Sequence, residues 1–163
     1  MAAGGAADDT GRIVEIGLDE ALGGRLRPEL EHDRAVALQD LIDENSFRLV
    51  DGEEGPYRLE LGVDGGRLIM RVGPAAGGAV VAFGMALSPF RRIIKDYFTI
   101  CDSYFEAIKT LAPSQIEAID MGRRGVHNEG AEKLMERLEG RADVDMATAR
   151  RLFTLLCVLH ARG

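Results

Sequence analysis

Two arginines, a histidine, an asparagine and a glutamate fall within one short stretch of this chain, Gly122-Arg123-Arg124-Gly125-Val126-His127-Asn128-Glu129-Gly130. These residue types suit the capture of an anion. A guanidinium grips phosphate or carboxylate through a planar fork of N–H donors. Histidine titrates close enough to neutrality to move a proton, and a nearby glutamate can orient it or act as a base. On local signals Gly122 ends one helix and the next begins near Asn128. The unpaired N–H groups of that N-terminus would then add partial positive charge. Arg123, Arg124, His127 and Asn128 are therefore the candidate ligand-binding residues, and His127 with Glu129 the candidate catalytic pair. A structural corner competes with this site. Gly122 and Gly125 would permit positive φ there, and Glu129 and Glu132 would answer the dipole of their own helix. On sequence the corner ranks first.

Other constellations carry less. His127 and Glu129 stand two residues apart, which does not place both on one helical face. His32 and His160 lie in other elements, and no Cys/His pairing has zinc spacing, so no metal site is expected. No cofactor is expected either, because the glycine-rich pieces lack dinucleotide or P-loop spacing. Ser88 and Ser114 read as helix caps, and neither sits in a GxSxG elbow. Cys101 and Cys157 both fall inside apolar helical patterns and read as core thiols. Three basic pairs remain: Arg91-Arg92 with Lys95 nearby, Arg123-Arg124, and Arg150-Arg151. Should they meet in space, they form a patch for a protein or RNA partner; otherwise they are solvated faces paired with Asp96, Asp120 or Asp145.

The elements that must position these residues follow from periodicity. Arg12 to Leu18 reads as a strand with Val14, Ile16 and Leu18 on one face. Pro28 opens a helix to about Glu44, with Ala35, Leu38, Leu41 and Ile42 as its stripe. Segments 57–63 and 67–73 alternate on either side of Asp64-Gly65-Gly66, a hairpin signal, and 79–87 adds a further strand. Residues 47–50 supply another short one. The second half is helical. Ser88-Pro89 starts a long helix whose apolar positions run from Phe90 to Leu111 at spacings of three and four. Ser114 to Glu117 reads as a capping box opening a helix that ends at Gly122. A further helix covers 130–138, and Asp145 caps a last one in which Leu152 to Leu159 is almost wholly apolar. The expected fold is α+β: an antiparallel β-meander with one early helix, followed by a C-terminal helical half packed on one face of the sheet. The long aromatic-rich helix is the expected partner of that sheet.

A chain of 163 residues is long enough to bury one self-sufficient core. Residues 1–11 read as a disordered tail and 12–163 as a single α+β domain. No apolar run reaches a membrane span and no secretory leader is visible, so a cytoplasmic protein without a membrane partner is expected. Two cysteines inside apolar helices fit that reducing compartment. The net charge of −7 argues against a general nucleic-acid binder. Residues 1–87 carry sixteen acidic against eight basic residues, while 88–163 carry eleven against twelve, which leaves room for a basic patch in the helical half.

The strings SPFRRIIKDYFTICDSYFEAIK, PSQIEAIDMGRRGVHNEG and TARRLFTLLCVLHARG, with ENSF (44–47), GPYRLEL (55–61) and EHDRAVALQDLI (31–42), resemble an uncharacterised "UPF" protein family of alphaproteobacteria. The resemblance spans Arg12 to Gly163 without a departure in those motifs. It implies a small cytoplasmic protein of about this length, and it brings no catalytic, cofactor or partner assignment. Two functions stay open. The first is a non-enzymatic binding protein, self-associating as a homodimer or engaging a protein or RNA through Arg91, Arg92, Arg123, Arg124, Arg150 and Arg151. The second is an enzyme or sensor holding a small phosphate- or carboxylate-bearing ligand at Gly122–Gly130.

Overall fold

A computed structural model describes residues 9–20 and 25–162. Residues 1–8 of the expected tail lie outside the described residues, while Asp9–Gly11 forms a 3-10 turn whose Thr10 carbonyl accepts the Gly55 N–H. The strands are β1 (Ile13–Leu18), β2 (Phe47–Leu49), β3 (Tyr57–Asp64), β4 (Arg67–Pro74), β5 (Val81–Ala86) and β6 (Ala142–Val144). The helices are α1 (Pro28–Asp43), α2 (Arg91–Thr110), α3 (Pro113–Leu138) and α4 (Met146–Arg162).

The hairpin of β3 and β4 closes as its sequence asks. Gly65 and Gly66 have φ of 59° and 75°, the left-handed pair that a two-residue turn between twisted strands requires. Only β3, β4 and β5 form the expected meander. β1 completes the order β1-β3-β4-β5 but runs parallel to β3, so the sheet is mixed. The cause is α1, a crossover that carries the chain back to the end of the sheet at which β1 began. β1 also carries a bulge: Ile13 pairs with Tyr57 and Glu15 with the next residue, Arg58, leaving Val14 as the extra residue. The bulge resets the alternation. Ile13, rather than Val14, is fully buried, and Val14 is exposed.

One face of the sheet is apolar, with Tyr57, Leu59, Leu61, Leu68, Met70, Val72, Phe83 and Met85 all buried. The opposite face carries the exposed Arg58, Glu60 and Arg71. Helices cover the apolar face. The helix against β3 is α4, not the long aromatic-rich α2, whose main partner is α3. An all-round apolar helix belongs at the centre of a layer, and Leu152 to Leu159 is buried throughout, with α1 on one flank and α3 on the other. On α1 the buried positions are Leu30, Ala37 and Leu41, while Ala35 is exposed, so the stripe is rotated from the expected one. β6, unforeseen in sequence, pairs antiparallel with β2 in a separate two-stranded ribbon. Tyr57 joins ribbon to sheet, its hydroxyl accepting the Leu49 N–H and donating to the Glu53 carbonyl.

Two caps differ from expectation and one matches. Ser88 sits in a 3-10 turn and makes no side-chain cap for α2. At α3 the N-cap is Ala112, whose N–H is accepted by the Gln115 side chain at 3.2 Å. Ser114 therefore lies within the first turn. Asp145 caps α4 as read, accepting the Thr148 N–H at 2.9 Å.

The largest correction concerns α3. It runs unbroken through Gly122, Gly125 and Gly130, none of which has positive φ. Helical glycine costs about 1 kcal/mol relative to alanine. Packing supplies what local propensity lacks: α3 lies between α2 and α4, and at Gly130 the backbone comes so close to Phe153 that a Cβ would fall 2.5 Å from its ring.

Candidate functional site

The unbroken helix removes the helix start on which the site first read from the sequence leaned. No helix begins near Asn128, so no ring of free N–H groups opens there. The same geometry builds another site. In a continuous helix Arg123 and His127, four residues apart, share a face. That face looks into an open cavity of about 530 Å³ lined by all four helices. α1 contributes His32, Asp33 and Asp40; α2 contributes Tyr97 and Tyr104. α4 adds Arg150, Arg151 and Thr154, and the apolar lining comes from Val36, Ala37, Phe105 and Ala147. The size falls in the range of small-molecule pockets, and the combination of apolar lining with convergent polar groups is typical of them.

The polar groups are held by neighbours. Arg123 bonds Asp120 at 3.0 Å and lies over the Tyr104 ring, 4.2 Å from its centroid. Arg150 donates to Asn128 at 2.7 Å, and Arg151 to the Glu44 carbonyl at 3.0 Å. Tyr97 donates to Asp33 at 3.1 Å. Burial pushes the Asp33 carboxyl above its ordinary value, opposed by the Tyr97 hydroxyl and the charge of Arg123. Burial likewise holds the Tyr97 phenol protonated.

His127 is wedged among aromatics, its ring 5.0 Å from Tyr97 and 6.2 Å from Phe153 between centroids. Its Nε2 lies 3.1 Å from the Thr154 hydroxyl, which itself donates to the Arg150 carbonyl at 3.2 Å. A hydroxyl has one proton to give. Given to the carbonyl, it leaves His127 Nε2 to donate; given to Nε2, it makes that nitrogen the acceptor, so the contact follows the histidine tautomer. Burial, reinforced by the charges of Arg123 and Arg150, lowers the His127 pKa to about 4. The ring is neutral at physiological pH. Burial pushes the Cys101 thiol up to about 11 and raises Cys157 further, as core thiols behave.

The candidate residues thus divide. Arg123 and His127 face the cavity, joined by Arg150 and Arg151. Arg124 is exposed and pairs with Asp120 at 3.1 Å. Together with His127, Asn128 and Arg150 it lines a second, smaller depression of about 250 Å³. Glu129 neither faces the cavity nor orients His127, because it bonds Arg92 across the α2–α3 interface. Arg92 is held there and by Asp96, and neither Arg91 nor Arg92 lines the cavity. Of the three arginine pairs, both members of Arg150-Arg151 and only Arg123 of the second meet at the cavity. Sequence reasoning missed Asp33, Asp40, Tyr104 and Thr154. One signal was present: Asp33 falls between Leu30 and Ala37 on the buried face of α1, a charge where the pattern calls for an apolar residue. Among the described residues no group of three or more His, Cys, Asp or Glu could hold a metal ion. No described helix is long and apolar enough to cross a membrane.

The chain was compared with known proteins. It is 56% identical over 153 residues to a UPF0262 protein of Mesorhizobium japonicum, covering 93% of this chain and 94% of that relative. A UPF0262 protein of Rhodopseudomonas palustris is 53% identical over 156 residues, 96% of each chain. One of Rhizobium meliloti is 53% identical over 157 residues, 96% of this chain and 99% of the relative. No solved structure matches. A profile described as "Uncharacterised protein family (UPF0262)" matches residues 10–162, and the chain belongs to that family.

Proposed function

We propose that this protein binds a small carboxylate- or phosphate-bearing ligand in the four-helix cavity, with Arg123 and Arg150 gripping the anionic group. One observation carries the reading: arginines from α3 and α4 converge on an open, partly apolar cavity, each oriented by a neighbour through only part of its donor set. A guanidinium anchored in this way loses little entropy on binding. The ligand site first read at Gly122–Gly130 is thereby moved, keeping Arg123 and His127 and setting Arg124 and Asn128 outside. Binding rather than turnover is the reading, because the base beside the Thr154 hydroxyl, His127, has its pKa lowered to about 4 and draws a proton only weakly. A cytoplasmic setting suits the free, buried Cys101 and Cys157. The test is a thermal-shift screen of acetate, inorganic phosphate and sugar phosphates on wild type and Arg123→Ala. A ligand at 100 times its dissociation constant adds about 2.7 kcal/mol. A rise in melting temperature confined to wild type supports the reading; equal behaviour of the two proteins refutes it.

A macromolecular partner is a second reading, favoured by the exposure of Arg91, Arg92, Arg124 and Arg150 on the helical half. Its contacts would lie on that outer surface, so binding should survive Arg123→Ala and weaken with salt.

A further inference from the structure

The cavity holds an unmatched pair of charges. Asp33 on α1 and Arg123 on α3 both line it, and each feels the other, since Arg123 lowers the Asp33 pKa. Yet they do not join. The ion pair of Arg123 is with Asp120, and its other tether is the Tyr104 ring. Asp33 is tethered to Tyr97 through Oδ2 alone, and among the described residues its Oδ1 accepts no hydrogen bond. Opposite charges in a half-buried space attract strongly, so a pair held apart by separate tethers leaves each with unused bonding capacity.

A simple anion answers only half of this arrangement. Seated on Arg123 and Arg150, it would neutralise the basic side and leave the Asp33 carboxylate facing a second negative charge. A buried charge left without a partner is destabilising. A ligand with an anionic end and a cationic donor end satisfies both walls.

Resting on the anion-binding reading above, we propose that the ligand is an amino-carboxylate zwitterion of amino-acid to dipeptide size. Its carboxylate lies on Arg123 and Arg150, its ammonium on Asp33 Oδ1, and its apolar part against Val36, Ala37 and Phe105. A cavity of about 530 Å³ takes a molecule of that class.

The experiment is calorimetric titration of the full chain with leucine, γ-aminobutyrate and dialanine, each beside its N-acetyl and its carboxamide form, with acetate and phosphate as plain anions. The series varies the distance between the charged ends, and the blocked forms remove one end at a time. At least one zwitterion is expected to bind, and each of its blocked forms to bind at least about tenfold more weakly. Asp33→Asn, which keeps the shape and an acceptor for Tyr97, should shrink the preference for amine over N-acetyl to within about threefold. An N-acetyl form binding as tightly as its amine overturns the zwitterion while leaving the anion site standing. So does binding of acetate or phosphate with none of the three zwitterions. Silence from every compound overturns both. The wild-type comparison decides the matter even if Asp33→Asn fails to fold.

Discussion

Replacing Gly125 with alanine tests the feature on which the whole site depends. If residues 122–130 form a corner, Gly125 holds a conformation that alanine resists, and the substitution destabilises the protein. In the continuous α3 it should do the reverse. Alanine is favoured over glycine in a helix interior by about 1 kcal/mol, partly because it narrows the unfolded ensemble. Nothing offsets this gain sterically, since no heavy atom lies within 4 Å of the Cβ position at Gly125. The expected gain is about 0.5–1 kcal/mol, or a rise of about 1–4 °C for a chain of this length. Gly130→Ala supplies the contrast. Its Cβ would stand 2.5 Å from Phe153 Cε1 and Cζ and 2.6 Å from Cδ1, on a ring with 0% exposure. Overpacking of that kind costs about 1–3 kcal/mol, which outweighs the same helix-propensity gain. Urea unfolding followed by circular dichroism measures both variants. Opposite signs support the continuous helix and its close packing on α4. A loss of stability in Gly125→Ala would refute it, and the shared face of Arg123 and His127 would fall with it.

Titration of His127 by NMR should give a midpoint near 4 instead of the usual 6.5; a midpoint above 6 would contradict its burial. Linkage follows with a definite sign. Between those two values the unfolded chain binds a proton that the folded chain does not, so this contribution is full above pH 6.5 and is lost as pH falls toward 4, by up to about 3 kcal/mol. Asp33 acts in the opposite direction, because its raised pKa lets the folded chain take up a proton first as pH falls. The difference between wild type and His127→Gln, measured by urea unfolding at neutral and mildly acidic pH, isolates the histidine; an unchanged difference across that range would contradict the assignment. Asp145→Ala should cost about 0.5–2 kcal/mol by leaving the Thr148 N–H at the head of α4 without its cap; an unchanged unfolding midpoint would show that the cap is idle.

The parts of the fold that were legible are those fixed by neighbours in sequence. Asp64-Gly65-Gly66 set the β3–β4 hairpin because its turn demands left-handed residues that only local chemistry supplies. Asp145 and the apolar run from Leu152 likewise announced a capped, buried helix. What went unread depends on contacts between distant residues. β1 alternates well enough to be seen as a strand, but its parallel pairing and its bulge at Val14 exist only against β3. Ala142–Val144 is too short to signal a strand and is one because Phe47–Leu49 lies beside it. α3 shows the same effect at larger scale. Three glycines lower the helix propensity of the stretch enough to suggest a corner, and packing between α2 and α4 overrides them.

The site was half legible for the same reason. Arginine and histidine attract notice anywhere, and Arg123 and His127 both line the cavity, although burial leaves His127 a weaker base than the sequence suggested. Their partners were hidden, because Tyr97 and Thr154 sit on helix faces that sequence reading assigns to the core, and Asp33 lies off the stripe of Ala35, Leu38, Leu41 and Ile42 expected for α1. Asp33 alone breaks its pattern. A carboxylate on the buried stripe of α1 needs a partner, and Tyr97, sixty-four positions away, provides only one bond. The reverse error was to pair His127 with Glu129 because they are close in sequence. On one helix, residues two apart diverge, so Glu129 turns to Arg92 and His127 turns inward. A more productive rule for this chain is to take each ionisable residue that falls on an apolar helical stripe and ask which other stripe carries its match. Applied to α1, it selects Asp33; applied to α3, it selects Arg123 and His127 on a shared face. These are the groups that meet across the cavity without satisfying one another.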